Sequence, residues 1–316
     1  MEAVVEECRP RRRLPVARAP TITPRVSVVI PALNEARNLP HVLTRLPFDV
    51  YEVVLVDGHS VDLTMEVARA LYCDVRFVRQ DGYGKGNALA CGFAACRGDI
   101  IVMLDADGSA DPGEIPRFVD ALCRGADFAK GSRFLPGGGS SDITRLRRLG
   151  NWGLNSLVNL LYGTRYTDLC YGYNAFWVHC LPRINVDCDG FEVETLINVR
   201  IAKAGLRVSE VPSYEGLRIH GVSNLNAVRD GWRVLMTIVR ERFRQVPANP
   251  PRPYLGYAGL GSWNGIERRS DVDRRARAER RSGSRNGIDR RGTLGRRAAD
   301  RGVDTFIPPE APPPGA

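Results

Sequence analysis

Residues 100–104 form an unbroken apolar run, Ile100, Ile101, Val102, Met103 and Leu104. It stops at two carboxylates one residue apart, Asp105 and Asp107, with Gly108 and Ser109 behind them. Such a run is too short for a helix. Its lack of charge predicts a strand buried on both faces, as in the interior of a parallel sheet. Open α/β sheets take their ligands in the crevice outside the carboxyl ends of the strands, so Asp105 and Asp107 are expected at the functional edge. Carboxylates this close repel unless a cation lies between them, and hard oxygen donors suit Mg²⁺ or Mn²⁺ that also carries a substrate phosphate. The alternative is an Asx turn whose acids are solvated.

The strand signal recurs along the chain. Predicted strands over 26–30, 52–56, 75–78, 100–104 and 128–131 alternate with predicted helices over 35–46, 63–72, 85–96 and 112–124. Repeated βα units with short connections imply an α/β fold, a mostly parallel sheet with helices on both faces. Beyond Arg133 the pattern changes. A flexible Gly-rich loop over 136–141 leads to a helix over 143–162 that opens on Arg145, Arg147 and Arg148. An α-rich stretch over 191–204, a strand over 208–211 and a last helix over 225–243 follow. The domain therefore spans 26–244, with halves over 26–133 and 134–244. Residues 1–25 and 245–316, rich in Arg, Pro and Gly without a core-forming pattern, are expected to be disordered.

Charge and cysteine usage narrow the function classes. The net charge of +9 divides as +3 over 1–25, +1 over 26–261 and +5 over 262–316, so the basicity belongs to the ends. The tail repeats Glu267-Arg268-Arg269, Asp273-Arg274-Arg275, Glu279-Arg280-Arg281 and Asp289-Arg290-Arg291 at spacings too short and uneven for a solenoid. Acids in every unit offset phosphate attraction, and nucleic acid is not an expected partner. The tail reads as a solvated tether, the alternative being contact with anionic lipid or a partner protein. The eight cysteines are scattered without a C-x-x-C pair, which fits reduced thiols better than a disulfide framework or a zinc site. No apolar run approaches the roughly 18 residues of a membrane span. The expected location is cytoplasmic, peripheral at the inner face of the membrane.

Four loops at the carboxyl ends of the predicted strands carry compatible chemistry. They are Pro31-Ala32-Leu33-Asn34-Glu35, Asp57-Gly58-His59-Ser60, Gly82-Tyr83-Gly84-Lys85-Gly86-Asn87 and Asp105-Ala106-Asp107. Carboxylates at Glu35 and Asp57 can accept hydrogen bonds from ribose hydroxyls or a base N–H. Glycines around Lys85 let backbone approach a ligand closely while the ammonium meets an anion.

With these segments the chain resembles the inverting nucleotide-sugar glycosyltransferases of family 2, which have the GT-A fold. Among them it is most similar to the polyprenyl-phosphate mannose or glucose synthases. The resemblance covers roughly residues 25–243 and rests on V-S-V-V-I-P-A-L-N-E, V-V-L-V-D-G-H-S, G-K-G-N-A-L, I-V-M-L-D-A-D-G-S and K-G-S-R-F. It implies that Pro31, Ala32, Asn34 and Glu35 hold base and ribose together with Asp57. It also implies that Asp105 and Asp107 are the D-x-D pair bridging the diphosphate through Mg²⁺ or Mn²⁺. Ser109 stands where many relatives have a metal-binding Gln. Arg133, in Gly131-Ser132-Arg133, matches a segment whose Arg meets the acceptor phosphate. Arg218, in Arg218-Ile219-His220-Gly221-Val222-Ser223, matches a basic motif that closes over the phosphates.

The implied reaction is metal-dependent transfer of a hexose, with inversion, from a GDP-mannose or UDP-glucose type of donor to polyprenyl phosphate. A lipid phosphate is already an anionic nucleophile and needs no base. A hydroxyl acceptor would need one, and Glu192 or Glu194 is the candidate, against which stand a helix-start acid and a core-edge acid. A third reading is a non-catalytic nucleotide-sugar-binding scaffold, for which Asp105, Asp107, Arg133 and Arg218 would all be superfluous. His220 beside Arg218 is either a phosphate contact or incidental, and His59 is a turn residue. His41 and His179 have no partner at metal-ligand spacing. Trp152, Tyr162, Tyr171 and Tyr173 line an acceptor groove or belong to the core. The helix over 143–162 is either interfacial, basic at one end and Leu/Trp-rich on one face, or an ordinary packed helix.

Overall fold

The computed structural model describes residues 23–222 and 225–244, so the expectations for 1–22, Ser223 and 245–316 lie outside the described residues. The last residue of the lead is pinned. The Arg25 guanidinium pairs with Asp99 at 3.2 Å and its backbone N–H donates to the same carboxylate at 2.9 Å.

Strands β1 (Val26–Ala32), β2 (Glu52–Asp57), β3 (Val75–Arg79), β4 (Ile100–Met103) and β5 (Phe128–Ser132) follow the predicted order. Between them lie α1 (Leu39–Leu43), α2 (Thr64–Leu71), α3 (Gly84–Ala95) and α4 (Ile115–Cys123). Every residue of β4 is buried. Successive strand residues point to opposite faces, so both faces of the sheet are covered there. The predicted helix over 35–46 shrinks to the five residues of α1. Asn34 takes a left-handed φ of 58°, which Asn tolerates, and Pro40 sits in the first turn, where its missing N–H costs nothing.

The second half adds β6 (Gly139–Ser140), α5 (Arg145–Tyr162), β7 (Asn174–Trp177), α6 (Leu181–Ile184), α7 (Val193–Lys203), β8 (Val208–Pro212), β9 (Tyr214–Glu215) and α8 (Ala227–Phe243). β7, α6, β6 and β9 have no counterpart among the sequence expectations. The main sheet runs β3-β2-β1-β4-β7-β5-β8, and β6 pairs with β9 separately. β7 is antiparallel to both β4 and β5, and all other pairs are parallel. Both halves therefore complete one sheet. A second apolar cluster, centred on Val158, Tyr166, Leu169, Val199, Val234 and Ile238, binds α5, α7 and α8 together.

Register sets the site. Ala32 lies opposite Asp57 and Val29 opposite Met103, so β1, β2 and β4 deliver their following loops to one edge. The chain builds outward from β1 to β2 and β3 on one side, then returns to lay β4 on the other. The crevice between the ends of β1 and β4 is thus a topological switch point.

Candidate active site

The loop after β1 is held by the loop after β2. Asn34 accepts a hydrogen bond from the Val61 N–H at 2.8 Å, and the Asn34 N–H donates to the Ser60 hydroxyl at 3.0 Å. Asp57, at the end of β2 and 6% exposed, accepts from the Ser60 N–H. Pro31 and Ala32 are the last residues of β1, with Ala32 buried. Glu35 is also buried, and its carboxylate is shared between the Asn38 side-chain amide at 2.5 Å and the Arg218 guanidinium at 2.8 Å.

Arg218 joins two of the predicted elements. Its second nitrogen lies 3.3 Å from Asp107, so one guanidinium bridges the acid after β1 and the second acid after β4. The segment carrying it crosses the switch point on main-chain bonds. Gly216 N–H donates to the Ser109 carbonyl, Ile219 N–H to the Asp107 carbonyl and His220 N–H to the Asn38 side chain. His220 is thereby held through its backbone. Ser109 donates to Asp107 from both hydroxyl (2.7 Å) and N–H (3.0 Å), which orients that carboxylate.

Lys85 sits at the other end of the pair. Its ammonium lies 2.7 Å from one Asp105 oxygen, 2.9 Å from the other and 2.7 Å from Glu194. Burial opposes the charged ammonium, but the two carboxylates outweigh it and hold its pKa above the ordinary lysine range. Burial likewise lifts Glu194 above the usual carboxylate range; Lys85 opposes the rise and Asp105 adds to it. The backbone at Gly172 roofs this cluster, for a Cβ there would lie 3.0 Å from Lys85 Nζ and 3.3 Å from Glu194 Oε1.

Two of the glycines around Lys85 make room for distant backbone of this chain. A Cβ on Gly84, whose φ is +86°, would fall on the Asp189 carbonyl, and a Cβ on Gly86 on the Cys188 carbonyl. The backbone that approaches closely is this chain's own.

Arg133 stands apart from these groups. Only 3% of its side chain is exposed. It forks onto Asp168 at 2.7 and 2.9 Å and reaches Glu215 of β9 at 3.0 Å. Glu215 also accepts from Ser140 of β6. Burial works against ionising Asp168, yet the Arg133 guanidinium holds its carboxyl below the ordinary range. Three of the five guanidinium donors of Arg133 are thus directed at acids of the protein itself, tying the small β6–β9 sheet to the end of β5.

Glu192 occupies the position before α7, makes no side-chain capping bond there, and lies outside the Lys85 cluster. Tyr171 and Tyr173 are core residues, and Tyr162 donates from its hydroxyl to the Ile238 carbonyl. Trp152 is 67% exposed. His59, at a left-handed φ of 68°, is a turn residue whose Nε2 donates to the Gly82 carbonyl. The seven cysteines among the described residues are free thiols, two of them buried.

The donor set fits a divalent cation. Asp105 and Asp107 supply hard oxygens one residue apart, and among the described residues no third His, Cys, Asp or Glu joins them in a metal cluster. Mg²⁺ is bound in this manner, by one or two carboxylates with waters and substrate phosphates filling the remaining positions.

Comparison with known proteins agrees with this arrangement. Residues 27–180 match the glycosyl transferase family 2 profile. Glycosyltransferase AglJ of Haloferax volcanii is 31% identical over 243 residues, 75% of this chain and 77% of that protein. The chain is a family 2 glycosyltransferase. This glycosyltransferase is also 34% identical to the undecaprenyl-phosphate mannosyltransferase of Micrococcus luteus, over 60% of this chain and 82% of that one. A similar solved structure is glucosyl-3-phosphoglycerate synthase of Mycobacterium tuberculosis in complex with Mn²⁺, uridine diphosphate and glucosyl-3-phosphoglycerate. It superposes with a TM-score of 0.57 at 25% identity, covering 69% of this glycosyltransferase and 80% of that chain. The fold is GT-A.

Proposed function

We propose that this glycosyltransferase transfers a hexose from a nucleoside diphosphate sugar to a polyprenyl phosphate at a membrane surface. The observation that carries the lipid acceptor is the set of large apolar side chains that α5 leaves exposed. Its inward face sets Val158, buried in the α5–α7–α8 cluster, beside three asparagines: Asn155 and Asn159 donate to the Tyr166 carbonyl, and Asn151 accepts from the Leu169 and Cys170 N–H groups. Its outward face carries Leu146, Leu149, Trp152 and Leu160, each more than 60% exposed. The neighbouring α8 exposes Val228, Trp232, Val239 and Phe243 at helical spacing. Arg145, Arg148, Arg229 and Arg240 are exposed on the same two helices. Apolar stripes bordered by arginine suit the headgroup boundary of an anionic bilayer. No helix among the described residues is long and apolar enough to cross a membrane.

Asp105 and Asp107 would hold Mg²⁺ or Mn²⁺, which when bound supplies positive charge to the departing diphosphate. Glu35 and Asp57 take hydrogen bonds from ribose and base. Arg218, spanning Glu35 and Asp107, has the reach to place its guanidinium on the nucleotide phosphates. Lys85 fixes Asp105 and neutralises Glu194. The acceptor phosphate is anionic near neutral pH, so attack at C1 from the face opposite the leaving group inverts that carbon without removal of a proton, and Glu194 can remain a counter-ion. Arg133 acts through Glu215, setting the loop over 134–144 from which the acceptor phosphate is approached.

A hydroxyl acceptor is the second reading, and the solved structure with glucosyl-3-phosphoglycerate favours giving it a place in the test. Purified protein, Mn²⁺, radiolabelled GDP- and UDP-sugars and a short polyprenyl phosphate are incubated, and label partitioning into organic solvent is counted. Organic label from one donor is the expected result and names the sugar. Metal-dependent donor hydrolysis without organic label would remove the lipid acceptor and transfer the role of base to Glu194.

A further inference from the structure

The connection from α6 to α7, residues 185–192, is clamped at both ends. At one end it rests on α3: the Asp189 carbonyl accepts the Gly86 N–H at 2.9 Å and fills the place of a Gly84 side chain, and the Cys188 carbonyl fills that of Gly86. Lys85 lies between these two seats. At the other end Arg200, 7% exposed on the last turn of α7, donates to the Ile184 carbonyl at 3.0 Å, to the Asn185 carbonyl, to Asp187 at 2.7 Å and to Glu241 of α8 at 2.8 Å. Arg244 grips the other Asp187 oxygen at 2.5 Å. A planar guanidinium fork is the one side chain that can hold two carbonyls and two carboxylates from one position.

We propose that Arg200 is a positioning residue for the transfer reaction. It fixes the 185–192 connection, the connection fixes the first turn of α3, and that turn fixes the ammonium of Lys85 on Asp105. The acceptor-side helices α7 and α8 are thereby joined to the donor-side carboxylate pair. The same connection runs directly into the first turn of α7 and delivers Glu194 to the other side of Lys85, so one clamp sets both partners of the ammonium. The coupling stands on packing alone; its effect on turnover rests on the reading of Lys85 and Asp105 given above.

The test uses the full chain with three substitutions. Asp187→Ala removes the anchor shared by Arg200 and Arg244 at a side chain that is 38% exposed, leaving the buried Arg200–Glu241 pair intact. Arg200→Lys keeps the charge but loses the fork. Gly86→Ala disturbs the connection from its opposite end without altering any charge. Hydrogen exchange of peptides spanning 82–90 is followed by mass spectrometry, alongside initial rates at varied donor and acceptor. In each variant exchange over 82–90 is expected to quicken about tenfold, the equivalent of losing one backbone hydrogen bond such as that from the Gly86 N–H to the Asp189 carbonyl. Exchange in β1 and β2 should stay unchanged, and donor KM should rise while acceptor KM does not. A lowered melting temperature with wild-type exchange over 82–90 would overturn the proposal, as would faster exchange with unaltered donor kinetics. Were the wild-type protein inactive with every donor, the reading of the site would fall, while the exchange comparison would still decide the coupling.

Discussion

Asp107 receives hydrogen bonds from Ser109 and the charge of Arg218, and none of its protein partners is a second anion. Removing it takes away one of the two hard oxygen donors and frees Arg218. Asp107→Ala should lower Mn²⁺-dependent turnover by about a hundredfold or more with little change in melting temperature, as read by initial rates and calorimetry. Lys85 differs because its loss strands two acids around one buried position. Lys85→Met should lower stability by about 3–5 kcal/mol, the usual cost of leaving a buried charge unpaired. Adding Glu194→Gln should return part of that loss in a double-mutant cycle by denaturant unfolding. The Arg133–Asp168 pair gives a pH signature. Because the folded pKa of Asp168 lies below its unfolded value, the pair's contribution is complete above the ordinary carboxylate pKa. It is lost as pH falls through the folded value. Asp168→Asn should therefore cost about 3–5 kcal/mol at neutral pH, and the two unfolding curves should converge in strong acid.

Elements were legible where their pattern was local. β1, β2 and β4 follow from apolar runs that end on Asp or on a Pro-Ala-Leu-Asn turn, and α5 is capped by Thr144, whose hydroxyl accepts the Arg147 N–H. β7 was not legible, because Asn174–Trp177 has no alternation and its place between β4 and β5 depends on partners more than 40 residues distant. The outward face of α5 shows the same limit. Its sequence states which residues share a stripe, whereas the direction of that stripe depends on the Tyr166 carbonyl and the Leu169 and Cys170 N–H groups, which claim the asparagines. Trp152→Ser and Trp232→Ser together should weaken sedimentation with anionic vesicles by about tenfold or more, given about 1.5–3 kcal/mol for burying a large apolar side chain. Nucleoside diphosphate binding should be unchanged, and equal sedimentation of variant and wild type would remove the membrane reading of these helices.

At the scale of the whole molecule, the sheet core and the smaller α5–α7–α8 cluster are, among the described residues, built from side chains between Val26 and Ile238. A chain ending at residue 249 is expected to retain its melting temperature and its metal-dependent donor chemistry in detergent, and loss of cooperative unfolding on truncation would assign the tail a place in the core. The sequence by itself determined the βα order, the carboxyl-edge placement of Glu35, Asp57, Asp105 and Asp107, and the family. These depend on contiguous residues and on the hydrogen-bond direction of adjacent parallel strands. Tertiary structure alone decided what each charge faces. Lys85 meets Asp105 and Glu194, Arg133 is consumed by Asp168 and Glu215, and Gly84 and Gly86 make room for carbonyls more than 100 residues away. The physical reason is that a buried charge takes whichever counter-charge the packing of distant elements brings within reach, and no local pattern of residues records that choice.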